Sequence, residues 1–266
     1  MLVSVSAVTR WAEDLAAWAI PEEILRSAPD PPWTFPVDRF SEAARQALAR
    51  PPTPTHLRVA EVLEEGGTLL DVGSGAGAGS LPAIRPGCRL VAVDEDRRML
   101  EALSGLAGDL AEVETIEGRW PDVADRVGTS DVVVCANVAY NVADLDVFVR
   151  ALTRAARQRV VLELTREHPQ CRLSPLWKRF WGLERPARPT LRDAVEVVTE
   201  VLGHAPGIEE WDQPPRLGDS SDPGEVAWVR RRLCLGPDRD DEVAAELAGH
   251  ALEPSGMATL VWSGSG

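Results

Sequence analysis

Between residues 68 and 165, short apolar runs alternate with segments of helical periodicity. The apolar runs are TLLDV (68–72), CRLVAVD (88–94), AEVETIEG (111–118), SDVVVCAN (130–137) and QRVVLELT (158–165). Helical patterns lie between them: a short helix after a glycine loop between the first two runs, and longer ones over RRMLEALSGLAG and over about residues 143–156. Val- and Leu-rich strands separated by helices predict a mostly parallel sheet with helices on both faces. The predicted fold class is therefore α/β, with a doubly wound sheet.

The segments on either side of this alternation differ from it. The first 55 residues contain the proline-rich stretch APDPPWTFP (28–36) and predict short helices joined by extended turns, with one helix beginning near Ser41. We expect a helical N-terminal extension or lid over residues 1–55 and the main domain over 56–266. A second helix is predicted from His56 to Glu65.

The part of the chain after residue 165 begins without a clear strand. Residues 166–190 hold Trp177, Phe180 and Trp181, which could form an apolar pocket or the core of the segment itself. We interpret this segment as an inserted substrate cover. Further elements are predicted as a helix at about 190–203, a strand at 207–213, a helix at roughly 223–249 and a final strand at 257–263.

The charge balance restricts the partners. The chain of 266 residues has 42 acidic and 28 basic residues, a formal net charge of −14, which would repel nucleic acid and anionic membranes. Small molecules or proteins are therefore expected as partners, with a homodimer also compatible. The basic run Arg230–Arg232 predicts a solvated helix face. Four scattered cysteines and the lack of a leader or membrane-spanning run predict a reduced, cytoplasmic protein.

A glycine-rich loop follows the first predicted strand in LLDVGSGAGAGS (69–80). Gly73, Gly75 and Ala78 formally satisfy the dinucleotide spacing G-x-G-x-x-G/A, with Asp94 where a ribose-binding acid belongs. However, Asp71 would lie near the pyrophosphate of a dinucleotide and weaken its binding. S-adenosylmethionine carries a sulfonium and an ammonium group, which an acid at this position attracts.

At these residues the chain resembles the class I S-adenosylmethionine-dependent methyltransferases, since LLDVGSGAG is similar to the first motif of the family and VAVDED to its second. The resemblance covers about residues 56–165 and implies a seven-stranded Rossmann-like sheet with a reversed C-terminal edge hairpin. It implies S-adenosylmethionine as cofactor, S-adenosylhomocysteine as product and no metal. The implied cofactor-binding residues are Asp71, Gly73, Ser74, Gly75, Ala76, Gly77, Asp94, Glu95, Met99, Gly118, Arg119, Trp120, Asn137, Val138 and Arg39.

Several of these residues have a structural alternative. Trp120 could stack on adenine or belong to the core, and Met99 could pack on adenine or only within its helix. Phe35, Arg39 and Phe40 are candidates to cover the site, while Arg39 could instead form a surface ion pair.

The acceptor chemistry is less constrained, because methyl transfer chiefly requires alignment of donor and acceptor. The stretch NVAY replaces the N-P-P-Y type motif, which disfavours a nucleobase nitrogen as acceptor. His168 could act as a general base or be an ordinary loop residue before a proline. Glu163 could orient it or contact the substrate, and Tyr140 could face the methyl group or fill a gap in the packing. Asp144, Asp146 and Glu163 are spaced too loosely for a metal site.

We therefore expect an enzyme that methylates an oxygen, nitrogen or carbon of a small molecule. Two alternatives remain: a non-catalytic binding or scaffold protein of the same fold, and an RNA methyltransferase. The Ala-, Arg-, Gly- and Pro-rich composition is typical of GC-rich bacterial genomes.

Overall fold

A seven-stranded sheet forms the centre of the protein. The computed structural model describes residues 5–213, 221–249 and 255–266. The strands are β1 (Thr68–Val72), β2 (Arg89–Asp94), β3 (Glu112–Glu117), β4 (Ser130–Ala136), β5 (Ala156–Thr165), β6 (Gly207–Gln213) and β7 (Ser255–Ser263). Their order is β3-β2-β1-β4-β5-β7-β6, and β7 is antiparallel to both of its neighbours. The predicted doubly wound sheet with a reversed edge hairpin is confirmed.

Eleven α-helices surround the sheet in the described ranges. They are α1 (Ala7–Ala16), α2 (Glu22–Ser27), α3 (Val37–Ala49), α4 (Pro54–Ala60), α5 (Arg97–Ala107), α6 (Ala124–Val127), α7 (Leu145–Ala155), α8 (Ser174–Trp181), α9 (Leu191–Leu202), α10 (Pro223–Arg232) and α11 (Asp240–Gly249). None of these helices is long and apolar enough to cross a membrane.

The strand residues alternate between two cores because successive side chains point to opposite faces of the sheet. One core contains Val133 and Cys135 and packs against α1, α7 and α9, including Trp11 and Phe148. The other contains Val132 and packs against α4 and α5. Helices therefore cover both faces, as the apolar strand pattern predicts.

A third cluster joins segments that are distant in the sequence. Helices α2, α8, α10 and α11 meet in it, with Trp177 buried and Phe180 and Trp181 partly buried against it. The aromatic residues of the 166–190 insertion thus form a core with neighbouring helices, and Trp181 Nε1 donates a hydrogen bond to the Leu233 carbonyl at 2.7 Å.

Four helix predictions are wrong in detail. The helix expected from Ser41 begins at Val37, and the one expected over His56–Glu65 is α4, which begins after Thr53. The helix expected over 223–249 is broken into α10 and α11, since Cys234 adopts a φ of 57° and Pro237 follows Gly236. The short helix expected after the glycine loop is a 3-10 turn at Leu81–Ala83.

Candidate functional site

The glycine-rich loop crosses the carboxyl edge of the sheet after β1. Gly73, Gly75 and Gly77 have φ values of 67°, 50° and 91°. A Cβ atom on Gly73 would lie 2.4 Å from Val138 Cγ2, and one on Gly75 would lie 3.1 Å from Phe40 Cδ1. The backbone conformation therefore favours glycine at both positions, and at position 73 the close approach of Val138 excludes a Cβ atom as well.

Most of the loop amides that were expected to face a ligand are used within the protein. The N–H groups of Gly73 and Ser74 donate to the Val93 carbonyl at 2.8 and 3.0 Å, and that of Gly75 donates to Asp94 Oδ2 at 2.8 Å. A dinucleotide needs free amides at a helix N-terminus for its pyrophosphate. Residues 73–88 provide no α-helix, so the structure disfavours that alternative.

Three carboxylates lie at this edge of the sheet, on β1, β2 and β5. Asp71 is only 1% exposed, and its Oδ2 atom has no hydrogen-bond partner. Burial raises the pKa of Asp71 to about 7; the neighbouring Ser80 hydroxyl opposes this shift, and the charges of Asp94 and Glu163 add to it. A cation placed here would favour the ionised form of Asp71, so the site is electrostatically suited to a positively charged ligand.

Asp94 ends β2 and connects two turns. Its Oδ2 atom accepts from the Gly75 amide and its Oδ1 atom accepts from the Asp96 amide at 2.9 Å. Each carboxylate oxygen can accept a further hydrogen bond, so two ribose hydroxyls could still bind there. The neighbouring Glu95 is exposed and lies 3.8 Å from Arg119 in a surface ion pair.

The segment after β3 is packed tightly. Trp120 is buried among Ile116 and Val123, and its Nε1 atom is buried without a hydrogen-bond partner. Gly118 has a φ of 153°, and a Cβ atom on it would lie 2.2 Å from Val123 Cγ1. Met99 is buried at the start of α5. Stacking of Trp120 or Met99 on adenine stays a prediction.

The segment after β4 connects the loop to β5. Asn137 adopts a φ of 61°, and its backbone N–H donates to the Glu163 carbonyl at 2.8 Å. Its side-chain Nδ2 donates to Glu163 Oε1 at 2.8 Å. Val138 contacts the loop at Gly73. Asn137, Val138 and Glu163 are therefore brought to the same edge as Asp71, as the sequence predicts.

His168 and Tyr140 lie in an aromatic cluster. The His168 ring stacks on Trp18 with centroids 3.9 Å apart, and its Nδ1 atom accepts from the Gln170 amide at 3.2 Å. Burial and the positive charge of Arg185 lower the pKa of His168 to about 4. The Tyr140 hydroxyl donates to the Thr165 carbonyl at 2.8 Å, and burial raises its pKa well above the ordinary value. This geometry does not support either residue as a general base.

Arg39, which was expected to meet the cofactor or form an ion pair, has partners on α10. Its guanidinium pairs with Glu225 and lies 4.8 Å from the ring centroid of Trp228. Helix α3, which carries Arg39, also places Phe40 beside Gly75, and its role as a cover stays a prediction. The structure thus supports the ion-pair alternative for Arg39.

His56 is a residue whose contribution to the site was missed. Its Nδ1 atom accepts from the Thr53 amide at 3.0 Å, which leaves Nε2 to donate to the Ala78 carbonyl at 2.9 Å. The side chain thereby fastens α4 to the glycine loop. The T-x-x-H spacing of a capping box was the available sequence indication. Among the described residues, no group of His, Cys, Asp and Glu side chains could hold a metal ion.

Comparisons with known proteins show similarity to methyltransferases. Residues 70–162 match the family described as "Methyltransferase domain". The chain is 37% identical over 86 residues to ribosomal RNA small subunit methyltransferase G of Mycobacterium leprae, a match that covers 30% of the chain and 35% of that relative. The corresponding protein of Mycobacterium marinum is 36% identical over 86 residues, covering 38% of its length. The chain thus spans little more than a third of these curated relatives.

Solved structures share the fold over more of the chain. The YcgJ protein of Bacillus subtilis aligns with a TM-score of 0.51 and 18% identity, covering 84% of this chain and all of that one. A candidate methyltransferase of Bacillus halodurans aligns with a TM-score of 0.50 and 15% identity, covering 77% of this chain and 95% of that one. At such identities the similarity shows the fold.

Proposed function

Because this chain contains a class I S-adenosylmethionine-dependent methyltransferase domain, we propose that it transfers a methyl group from S-adenosylmethionine to a small-molecule acceptor. The observation that carries the proposal is the acid-lined loop, in which the buried Asp71 has an unpartnered oxygen beside Asp94 and Glu163. Such a site attracts the positive charges of this cofactor and repels a pyrophosphate.

Each residue of the site would have its own role in binding the cofactor. Asp94 would accept the ribose hydroxyls, and the charges of Asp71 and Glu163 would favour the cationic end of the cofactor. Phe40 would exclude water above the loop. The bound cofactor supplies an activated methyl carbon, so the protein mainly has to align the acceptor and exclude water.

A small-molecule acceptor is favoured over RNA. The similarity to ribosomal RNA methyltransferases is restricted to 86 residues, and the net charge of −14 opposes binding to a polyanion. The alternative of a non-catalytic binding protein is disfavoured because the positive-φ glycine loop and Asp94 are both present.

The proposal is tested by incubating the protein with S-adenosylmethionine labelled in the methyl group. One reaction receives the small-molecule fraction of a bacterial extract, and a second receives purified RNA. We expect label to enter the small-molecule fraction, and Asp94→Asn to abolish this transfer. Label in RNA alone would overturn the small-molecule acceptor. S-adenosylhomocysteine binding without any transfer would support the non-catalytic alternative.

A further inference from the structure

Arg232, the last residue of α10, is surrounded by three aromatic rings. Its Cζ atom lies 5.1 Å from the ring centroid of Trp33, 4.9 Å from that of Phe35 and 5.0 Å from that of Trp228. We refer to these four residues as the Arg232 cage. Arg232 is only 4% exposed, whereas Trp33 and Phe35 are 47% and 44% exposed. The predicted solvated face is therefore wrong for Arg232 and also for Arg230, which is 6% exposed, and the aromatic side of the cage is accessible to solvent.

The guanidinium of Arg232 has no anionic partner among the residues that the structure describes. In the described ranges it forms no hydrogen bond and no ion pair. The Nε atom of the adjacent Arg231 is likewise buried without a hydrogen-bond partner, whereas Arg230 and Arg39 are paired. Arg230 Nε lies 2.7 Å from Asp240 Oδ1, and Arg230 also donates to the Leu235 carbonyl. Arg39 pairs with Glu225. A buried charge is costly unless it is paired.

The local charges increase this cost. Burial and the positive charges of Arg39 and Arg231 lower the pKa of Arg232 to about 10, so the side chain is still protonated at neutral pH. The aromatic faces offset part of the desolvation through cation–π contacts. They provide no negative charge and no hydrogen-bond acceptor, so an external anion would complete the cage.

The chemistry of the cage specifies its ligand. A guanidinium group binds carboxylates and phosphates through two parallel hydrogen bonds. The exposed faces of Trp33 and Phe35 would pack on a planar, aromatic ring. Together these groups fit a small aromatic molecule that carries an anionic substituent.

The cage also lies next to the glycine loop. The rings of Phe35 and Phe40 meet edge to face with centroids 5.9 Å apart. Phe40 in turn contacts the loop at Gly75. The cage therefore lies within one aromatic side chain of the glycine loop, and a ligand anchored by its anionic group at Arg232 would have to extend past Phe40 for its reacting atom to meet the methyl group.

We propose that the Arg232 cage is the acceptor-binding site of the enzyme, and that the acceptor is a small aromatic molecule bearing a carboxylate or phosphate group. This inference rests on the proposed function. The four residues of the cage include a single cation, Arg232, whereas a nucleic-acid backbone requires a row of cations, and the chain as a whole is strongly acidic.

The test measures quenching of tryptophan fluorescence in the full chain, with S-adenosylhomocysteine present. The probes are benzoate, phenyl phosphate, neutral benzamide and a short RNA. We expect benzoate or phenyl phosphate to bind more tightly than benzamide, and the preference between the two anions identifies the acidic group. Arg232→Met should lower the affinity for the anion by about tenfold or more, which is the loss expected for a charge-assisted hydrogen bond.

A matched variant and a stability measurement separate binding from folding. Arg192→Met removes a guanidinium that is 88% exposed, and it should change the affinity by less than about twofold. Arg232→Met should keep or raise the unfolding temperature, because it removes an unpaired buried charge. A lower unfolding temperature together with unchanged anion affinity would assign Arg232 a purely structural role and overturn the inference.

The remaining outcomes are also decisive. Binding of S-adenosylhomocysteine without binding of either anion would overturn the inference and leave the proposed function standing. Salt-sensitive RNA binding that depends on Arg232 would replace the small acceptor with a nucleic acid. Failure of S-adenosylhomocysteine to bind the folded protein, measured separately by calorimetry, would instead contradict the proposed function.

Discussion

Two buried side chains have pKa values shifted toward their neutral forms. For Asp71 the folded pKa of about 7 lies above its ordinary value of 3.8, so its contribution to stability is present below pH 3.8 and is lost as the pH rises through 7. For His168 the folded pKa of about 4 lies below 6.5, so its contribution is present above pH 6.5 and is lost as the pH falls through 4. The two residues therefore act in opposite directions between these limits.

Replacement of His168 by phenylalanine tests its structural role. Phenylalanine keeps a ring against Trp18 but cannot be protonated. We expect the loss in free energy of unfolding between about pH 7 and about pH 4.5 to become smaller by about 2–3 kcal/mol, as measured by urea denaturation. The pH profile of methyl transfer should not change. Loss of a titration step from that profile would show that His168 is the general base after all.

Part of the site can be predicted from individual residues. Asp71, Asp94 and the glycines are identified because they occupy fixed positions relative to two successive strands of a parallel sheet. His168 cannot be assigned in this way, since its burial depends on Trp18, which lies in a distant part of the sequence. The same limitation applies to Arg232, because its aromatic neighbours come from two different segments.

At the level of elements, the strand pattern predicts the sheet well and the helix boundaries less well. Strands buried on both faces consist of continuous apolar runs, so β1 begins and ends where the sequence indicates. The exposed edge strand β6 also has its predicted bounds, although its residues are not a continuous apolar run. The helix after the glycine loop is replaced by a turn, and α4 contributes Val59 to the core on that face of the sheet. The periodicity of one segment cannot show that a helix from a different segment packs on this face of the sheet.

The glycine loop should be intolerant of even one added methyl group. Gly73→Ala would place Cβ 2.4 Å from Val138 Cγ2 at a φ of 67°, so we expect a loss of stability of more than about 1 kcal/mol and weaker cofactor binding. Gly105 lies within α5 with no atom within 4 Å of an added Cβ. Gly105→Ala should therefore raise stability by about 0.5–1 kcal/mol. Thermal unfolding measures the stability of both variants, and calorimetry measures their affinity for the cofactor. Equal stability and equal affinity of the two variants would contradict the prediction.

Considered as a whole, the molecule includes its N-terminal helices in its main core. Trp11 on α1 is fully buried, stacks on Tyr140 at 5.6 Å and donates from Nε1 to the Val142 carbonyl at 2.8 Å. Helix α3 carries Phe40 to the glycine loop. The residues expected to form a lid thus also support the sheet, and composition alone could not distinguish these roles.

Truncation of Trp11 tests how strongly this extension supports the fold. We expect Trp11→Ala to lower the free energy of unfolding by about 3–5 kcal/mol, because a large fully buried side chain is lost. Trp33→Ala, at a position 47% exposed, should cost about 1 kcal/mol or less. Both values come from chemical denaturation of the full chain. A small cost for Trp11→Ala would indicate that the extension folds separately from the sheet.

The central claim is that the acid-lined loop selects a cationic cofactor. Titration calorimetry of the full chain at about pH 8, where Asp71 is largely ionised, compares S-adenosylmethionine, S-adenosylhomocysteine and NAD. We predict heat from the first two ligands and none from NAD. Asp71→Asn should lower the affinity for S-adenosylmethionine more than the affinity for S-adenosylhomocysteine, because only S-adenosylmethionine carries a sulfonium charge. Binding of NAD by the folded protein, with no heat from either sulfur compound, would contradict the claim.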